Sequence, residues 1–253
     1  MRKRFRTAAA IAMGLAAMVS ATNAHSAEIR VLIGGAMVGV FAELRPQFEK
    51  ASGHKLDIFA GATPELIKEA VSGKPFDAAV VPVDVMKDAD ARARFNPAPT
   101  VDVARVGFGV AVRAGSPKPD LGSTEAFRQA MLQAKSITFL PASAAGSQVL
   151  RVFDRLGIAD AMKAKTVVQT APAQIAQAVA RGDAELAVFL TNVLIAPGVE
   201  LAGPFPPELQ QDLVFTSALA AGAKEPDAAK ALLAYLKTPA AQDIIKAKGM
   251  KPG

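Results

Sequence analysis

The sequence predicts an α/β protein of two lobes, each a mixed sheet flanked by helices, joined by two hinge strands. Strand-like and helix-like patterns alternate along the chain from residue 28 onward, the signature of sheets covered by helices. Two long β-prone stretches, 101–112 and 213–220, bracket a middle block of about a hundred residues. If both stretches cross between lobes, the chain builds one lobe, then a second, and returns to complete the first. The predicted division is 28–107 with 214–253 for lobe I and 108–213 for lobe II, with hinges near 107 and 214.

The elements follow in order. Residues 28–33 read as a strand ended by Gly34 and Gly35. Val38, Phe41, Leu44 and Phe48 then recur at helical spacing, and Gly53 stops that helix. A second strand covers 56–60. Thr63-Pro64-Glu65 opens the next helix, with Thr63 expected as N-cap, Pro64 at the first position and Glu65 near the positive dipole end. Its apolar side is Leu66, Ile67, Ala70 and Val71, and Gly73 ends it. Residues 77–83 form an apolar strand buried on both faces, as a parallel sheet requires. A helix is expected over 85–95, broken by Asn96-Pro97, before the long stretch 101–112. The second half gives helices at 124–134, 148–156 and 172–180 and strands at 137–140, 166–169 and 186–190. After Pro204, Pro206 and Pro207 comes the stretch 213–220, then two helices, 227–236 and 239–247, split by Thr238-Pro239.

Composition narrows the function. The chain has 253 residues, 51% hydrophobic and 21% charged, with 19 Gly and 17 Pro, which excludes disordered, collagen-like and coiled-coil proteins. Of its net charge of +6, four charges come from Arg2, Lys3, Arg4 and Arg6, so the body beyond Ala27 carries +2. A nearly neutral body with no Trp and one Tyr lacks the basic stripe and stacking platform of a nucleic-acid binder. The four cations precede an apolar run over 8–19 and the small residues Ser20, Ala21 and Thr22, which reads as an export signal within 1–27. Cleavage after Ala24, Ser26 or Ala27 satisfies the small-residue pattern. The apolar run is too short to span a bilayer, and no later run is longer, so a soluble, unlipidated protein of the periplasm is expected. There is no Cys, which excludes disulfides, thiol chemistry and a lipid-bearing terminus. His54 is the one imidazole beyond His25 and sits in a turn, Ser52-Gly53-His54-Lys55, so His- or Cys-built metal sites are excluded; no cofactor is expected.

Four short loops fall where strands hand over to helices: Gly34-Gly35-Ala36-Met37, Gly61-Ala62-Thr63, Ser143-Ala144-Ala145-Gly146-Ser147 and Leu190-Thr191-Asn192. In open α/β sheets ligands sit beyond these strand ends, where the free N–H groups of helix N-termini point. Small residues admit a ligand to the backbone, while Thr63, Ser143, Ser147, Thr191 and Asn192 offer side-chain donors. Converging amides and hydroxyls hold an anion without Lys or Arg. Each loop taken singly is also an ordinary strand-to-helix turn, and the case rests on the four together. No Walker loop is present, and Gly34 to Gly39 does not have dinucleotide-fingerprint spacing. The candidate ligand contacts are Ala36, Met37, Ala62, Thr63, Ser143, Ala145, Gly146, Ser147, Leu190, Thr191 and Asn192, with Ile175 from the helix 172–180.

Residues 27–252 resemble the periplasmic molybdate-binding-like proteins that serve ABC importers. The resemblance is carried by 31–37 (VLIGGAM), 76–81 (FDAAVV), Ala144-Ala145-Gly146 and 232–241 (LLAYLKTPAA). It implies a type II periplasmic binding protein, a monomer that closes around a small anion and presents it to an inner-membrane permease. Molybdate binders place Ser in the first and second loops and Tyr after the late strand; here those positions hold Met37, Ala62 or Thr63, and Leu190. Losing hydroxyl donors leaves oxyanion oxygens underbonded, at about 1–3 kcal/mol each. An organic acid whose carbon skeleton contacts Met37 and Leu190 is favoured over an oxyanion. The alternative implied by the same resemblance is a periplasmic isomerase like the aconitate isomerases, for which Glu65 and Asp84 are the candidate bases.

Overall fold

Along the chain run β1 (Glu28–Gly34), α1 (Val38–Ser52), β2 (Lys55–Gly61), α2 (Thr63–Val71), β3 (Ala78–Pro82), α3 (Ala89–Arg92), β4 (Val101–Val106) and β5 (Phe108–Arg113). There follow α4 (Thr124–Gln133), β6 (Ile137–Phe139), α5 (Ala144–Arg155), α6 (Ala159–Lys165), β7 (Thr166–Val168), α7 (Pro172–Arg181), β8 (Leu186–Leu190), α8 (Thr191–Leu194) and β9 (Val199–Pro204). The chain finishes with β10 (Leu213–Leu219), α9 (Pro226–Tyr235), α10 (Pro239–Ala247) and β11 (Lys251–Pro252). The computed structural model describes residues 26–253, so the export segment, apart from Ser26 and Ala27, lies outside the described residues.

These strands make two mixed sheets, ordered β11-β4-β10-β3-β1-β2 and β7-β6-β8-β5-β9. The period-2 logic of a two-sided sheet is visible in β1. Ile29, Val31 and Ile33 point to the core that holds Phe41, Leu44 and Phe48 of α1, whereas Leu32 points to the core of Leu66, Ala70 and Phe76. β3 alternates likewise, Ala78 and Val80 against Ala79 and Val81. β1 runs parallel to β2 and β3, and β6 runs parallel to β7 and β8. β10 and β5 run antiparallel to both of their neighbours.

Buried Asp77, 5% exposed, ties the first sheet together. Its carboxylate accepts N–H bonds from Arg30 (2.9 Å), Lys224 (2.7 Å) and Glu225 (3.0 Å), joining β1 to the entry of α9. Three backbone donors around one anion satisfy a charge that burial would otherwise penalise heavily.

The passages between sheets differ from the expected pair of continuous strands. The stretch 101–112 breaks at Gly107, where Gln210 intervenes: its Oε1 accepts from the Phe108 N–H at 2.7 Å and its Nε2 donates to the Phe108 carbonyl at 2.9 Å. A Cβ at Gly107 would lie 3.2 Å from the Gln210 carboxamide carbon. The return passage is the irregular segment 205–212, and β10 pairs entirely within the first sheet, against β3 and β4. The expected helix over 85–95 is instead a 3-10 segment, Val83–Lys87, followed by α3, which Asp88 caps by accepting from the Ala91 N–H. Among the described residues no helix is long and apolar enough to cross a membrane.

Candidate functional site

The carboxyl ends of β1, β2, β6 and β8 face one another across the two sheets, and the turns that leave them meet at one cavity. Gly35 and Ala36 follow β1; Gly61, Ala62 and Thr63 follow β2; Ser143, Ala144 and Ala145 follow β6; and Leu190 ends β8. The four loops singled out in the sequence are thus brought together. Pro172, at the N-terminus of α7, adds a fifth, and Pro82, Leu140, Phe189, Leu213 and Phe215 complete an apolar surround.

Local sequence explains how each loop presents itself. α2 starts one residue earlier than expected: Ala62, not Thr63, is its N-cap. An alanine cannot cap, so Glu65 reaches back and accepts from the Ala62 N–H at 2.9 Å, half of a capping box. Thr63 is thereby released from capping, and its hydroxyl instead accepts from the Ala144 N–H of the opposite sheet at 3.1 Å. α7 uses the same device, Gln174 accepting from the Ala171 N–H at 3.1 Å behind Pro172. α5 is capped by Ser143, whose Oγ accepts from the Gly146 N–H at 2.9 Å. A second polar bond spans the cleft, from Asn192 Nδ2 to the Ala36 carbonyl at 2.8 Å.

Of the sequence-predicted contacts, Ala36, Ala62, Thr63, Ser143, Ala145 and Leu190 border the cavity. The others do not. Met37 is fully buried in the core beneath α1, so it offers no wall to a guest's carbon skeleton. Ile175 is likewise buried in the core, and Ser147 is exposed on α5. Gly146 serves packing: a Cβ there would lie 1.9 Å from the Leu140 carbonyl oxygen. Thr191 and Asn192 start α8 beside the cavity, Asn192 lining the outer groove described below. Glu65 is committed to the α2 entry, and Asp84 is paired with Lys87 at 2.9 Å; neither borders the cavity. His54 lies at the α1–β2 turn, its Nδ1 accepting from the Ala27 N–H at 3.3 Å.

Among the described residues, no charged side chain lines the cavity. Its electrostatics come from α2, α5 and α7, whose N-termini converge there with partial positive charge, offset at α2 by the Glu65 carboxylate bonded to the Ala62 N–H. The first-turn amides of Thr63 and Ala145 have no intrahelical acceptor, and both residues border the cavity. The cavity itself is about 30 Å³, the room of roughly one water. It shares Gly35, Ala36 and Pro172 with a groove of about 720 Å³ between α1 and α10 on one side and α7 and α8 on the other. That groove's one charged residue, Lys248, is paired with Glu43 at 2.7 Å. A separate recess of about 570 Å³ lies on the flank of the second sheet, bordered by the carboxyl ends of α4 and α7 and by Arg113, Lys118, Lys135 and Glu185, and none of the four loops reaches it. Among the described residues no group of three or more His, Cys, Asp or Glu side chains is arranged to hold a metal.

The chain resembles known proteins over nearly all of its described length. The family model for bacterial extracellular solute-binding proteins matches residues 29–251. The chain is similar to an aconitate isomerase from a Pseudomonas species, 32% identical over 232 residues that cover 88% of this chain and 87% of the relative. It is also similar to the molybdate-binding protein ModA of Azotobacter vinelandii, 27% identical over 247 residues covering 94% and 96% of the two chains. Among solved structures, the periplasmic molybdate-binding protein of Azotobacter vinelandii shares the fold with a TM-score of 0.73 at 22% identity, covering 88% of this chain and 98% of that one.

Proposed function

The chain belongs to the bacterial extracellular solute-binding protein family, and from that premise we propose that it captures a small carboxylate-bearing organic anion between its two sheets. The single observation carrying this reading is the cavity wall: three helix N-termini and no charged side chain, beside apolar surface from Leu190, Phe189, Phe215 and Pro172. The amides grip oxygen atoms and the apolar wall accepts a carbon skeleton, which a tetrahedral oxyanion lacks. Because the cavity holds roughly one water, a guest enters only when the sheets separate. Rotation at Gly107 and at the passage 205–212 would part them, making 28–107 with 214–253 one lobe and 108–213 the other.

In this reading the protein works as a monomer in the periplasm and hands its guest to an ABC permease. The export segment would be cut after Ala24. That cut retains the Ser26 Oγ bond to the Gly53 carbonyl (2.8 Å) and the buried Ala27, whereas a cut after Ala27 discards both.

A second reading, an isomerase acting on aconitate, is favoured by the 32% identity with a protein of that activity. Moving an allylic proton needs a base within hydrogen-bond reach of the substrate, and Glu65 and Asp84 are both engaged outside the cavity. The experiment is a thermal-shift series with trans-aconitate, other small organic acids, molybdate and sulfate, combined with proton NMR of a trans-aconitate incubation. The binding reading expects a higher Tm with an organic acid, no comparable shift with the oxyanions, and no cis-aconitate. Appearance of cis-aconitate establishes the isomerase instead; a shift from molybdate alone overturns the organic-acid assignment.

A further inference from the structure

Two hydrogen bonds join the sheets across the cleft, and both use groups that sequence reasoning had reserved for a guest. Thr63 Oγ1 accepts from the Ala144 N–H at 3.1 Å, between residues 81 positions apart. Asn192 Nδ2 donates to the Ala36 carbonyl at 2.8 Å, across 156 positions. They lie at neighbouring loops of one wall, with the Gly35–Pro172 approach between the same two halves: a Cβ at Gly35 would stand 3.0 Å from Pro172 Cγ. Thr63 is free for this contact because Ala62 and Glu65 supply the entry to α2 in its place.

We propose that Thr63 and Asn192 form a latch that holds the ligand-free protein closed, the Thr63 hydroxyl standing in at the N-terminus of α5 for the oxygen of a guest. The Ala144 amide lies in the first turn of α5 and has no acceptor within its own helix. Left empty in a closed cleft, it would be a buried donor without a partner, which costs more than an ordinary hydrogen bond gains. The hydroxyl removes that penalty, so closure does not wait for a ligand. The orientation of Asn192 is fixed by its partner, since only its NH₂ group can face a carbonyl oxygen. Its Oδ1 is buried without a partner, a cost that the Nδ2 bond to Ala36 offsets in part. A guest anion must displace a neutral hydroxyl from Ala144, which a carboxylate does readily because its bonds to N–H groups are charge-assisted.

This inference deepens the binding reading by naming what a guest replaces, and it rests on that reading for the identity of the guest only. Its test therefore uses ligand-free protein. Thr63→Val keeps the shape and removes the acceptor; Thr63→Ser keeps the acceptor; Asn192→Ala removes the second bond. Amide exchange at Ala144, followed by NMR, and the radius of gyration from small-angle X-ray scattering are read for each, with circular dichroism reporting the fold. The latch predicts a protected Ala144 amide in the parent protein, exchange faster by up to about tenfold in Thr63→Val, and parent-like exchange in Thr63→Ser. The radius of gyration grows in Thr63→Val and in Asn192→Ala. Equal Ala144 exchange in the parent and Thr63→Val, or a parent already as extended as both variants, overturns it. Should Thr63→Val lose its circular dichroism, Asn192→Ala against Thr63→Ser decides by the same two readouts. Failure of every ligand in the thermal-shift series leaves these results standing, and failure here leaves ligand binding untouched.

Discussion

The Asp77 node and the cleft face the same physical problem in opposite ways. Each gathers backbone N–H groups from separate segments into a buried place. At Asp77 the chain supplies the anion itself, and three amides close on one carboxylate at 2.7–3.0 Å. At the cleft the amides of α2 and α5 converge with no carboxylate of the chain among the lining residues, and a single neutral hydroxyl meets the Ala144 N–H. The node carries its own anion, whereas among the described residues the cleft lining carries none. In the proposed binding reading, that difference is what a reversible receptor for an anion needs, since a carboxylate in the lining would repel the guest.

The sharpest way to break the comparison is at the node. Asp77→Ala strips three amides of their buried acceptor and should cost about 3 kcal/mol, read as a lower urea midpoint. A loss below about 1 kcal/mol would mean that amides around a buried anion matter little in this protein, and the cleft argument would weaken with it. Smaller is Gly146→Ala. The added Cβ must displace the Leu140 carbonyl from 1.9 Å, which overpacking places at about 1–3 kcal/mol and which should also shift the Ser143 loop at the cavity. An unchanged melting temperature would show that the loop yields freely.

The mildest test uses a second carboxylate, Glu49. Burial pushes its pKa upward, but the Leu56 N–H and the Lys55 and Arg45 cations hold it down, to about 2. A depressed folded-state pKa means that its stabilisation is present above the ordinary value of 4.5 and is lost as pH falls from there toward about 2. Glu49→Gln should therefore flatten stability against pH in that window and cost about 1 kcal/mol at neutral pH, where the exposed cations are screened by solvent. An unaltered acid limb would remove Glu49 from the series.

How much of this was legible in the sequence depends on where the information sits. Strands β1, β3 and β8 announce themselves through apolar runs, and the convergence of four loops follows from their place at strand ends. β9 was invisible: as an edge strand with an exposed or half-exposed pattern that ends in Gly203 and Pro204, it carries neither alternation nor a closed apolar run. α6 is under two turns long and starts at Ala159 without a capping side chain, so it too left no local mark. The break at Gly107 comes from Gln210, more than a hundred positions away, and no window around 101–112 contains that residue. Thr63 was assigned to its own helix because Thr before Pro favours an N-cap. The shift by one residue depends on Glu65 and on Ala144 waiting across the cleft. Met37 shows the converse, a residue in the right loop whose side chain turns inward to fill the core.

The grip of Gln210 on both the N–H and the C=O of Phe108 has a mechanical consequence. The outbound and homeward runs of the polypeptide are pinned at one level, and neither can slide along the other without surrendering both bonds. Twisting and shearing are resisted, while bending about the line through the pins is left free. If the two halves open as proposed, a pair so joined would swing like a door rather than turn like a ball in a socket, and a single angle would describe how far it stands ajar.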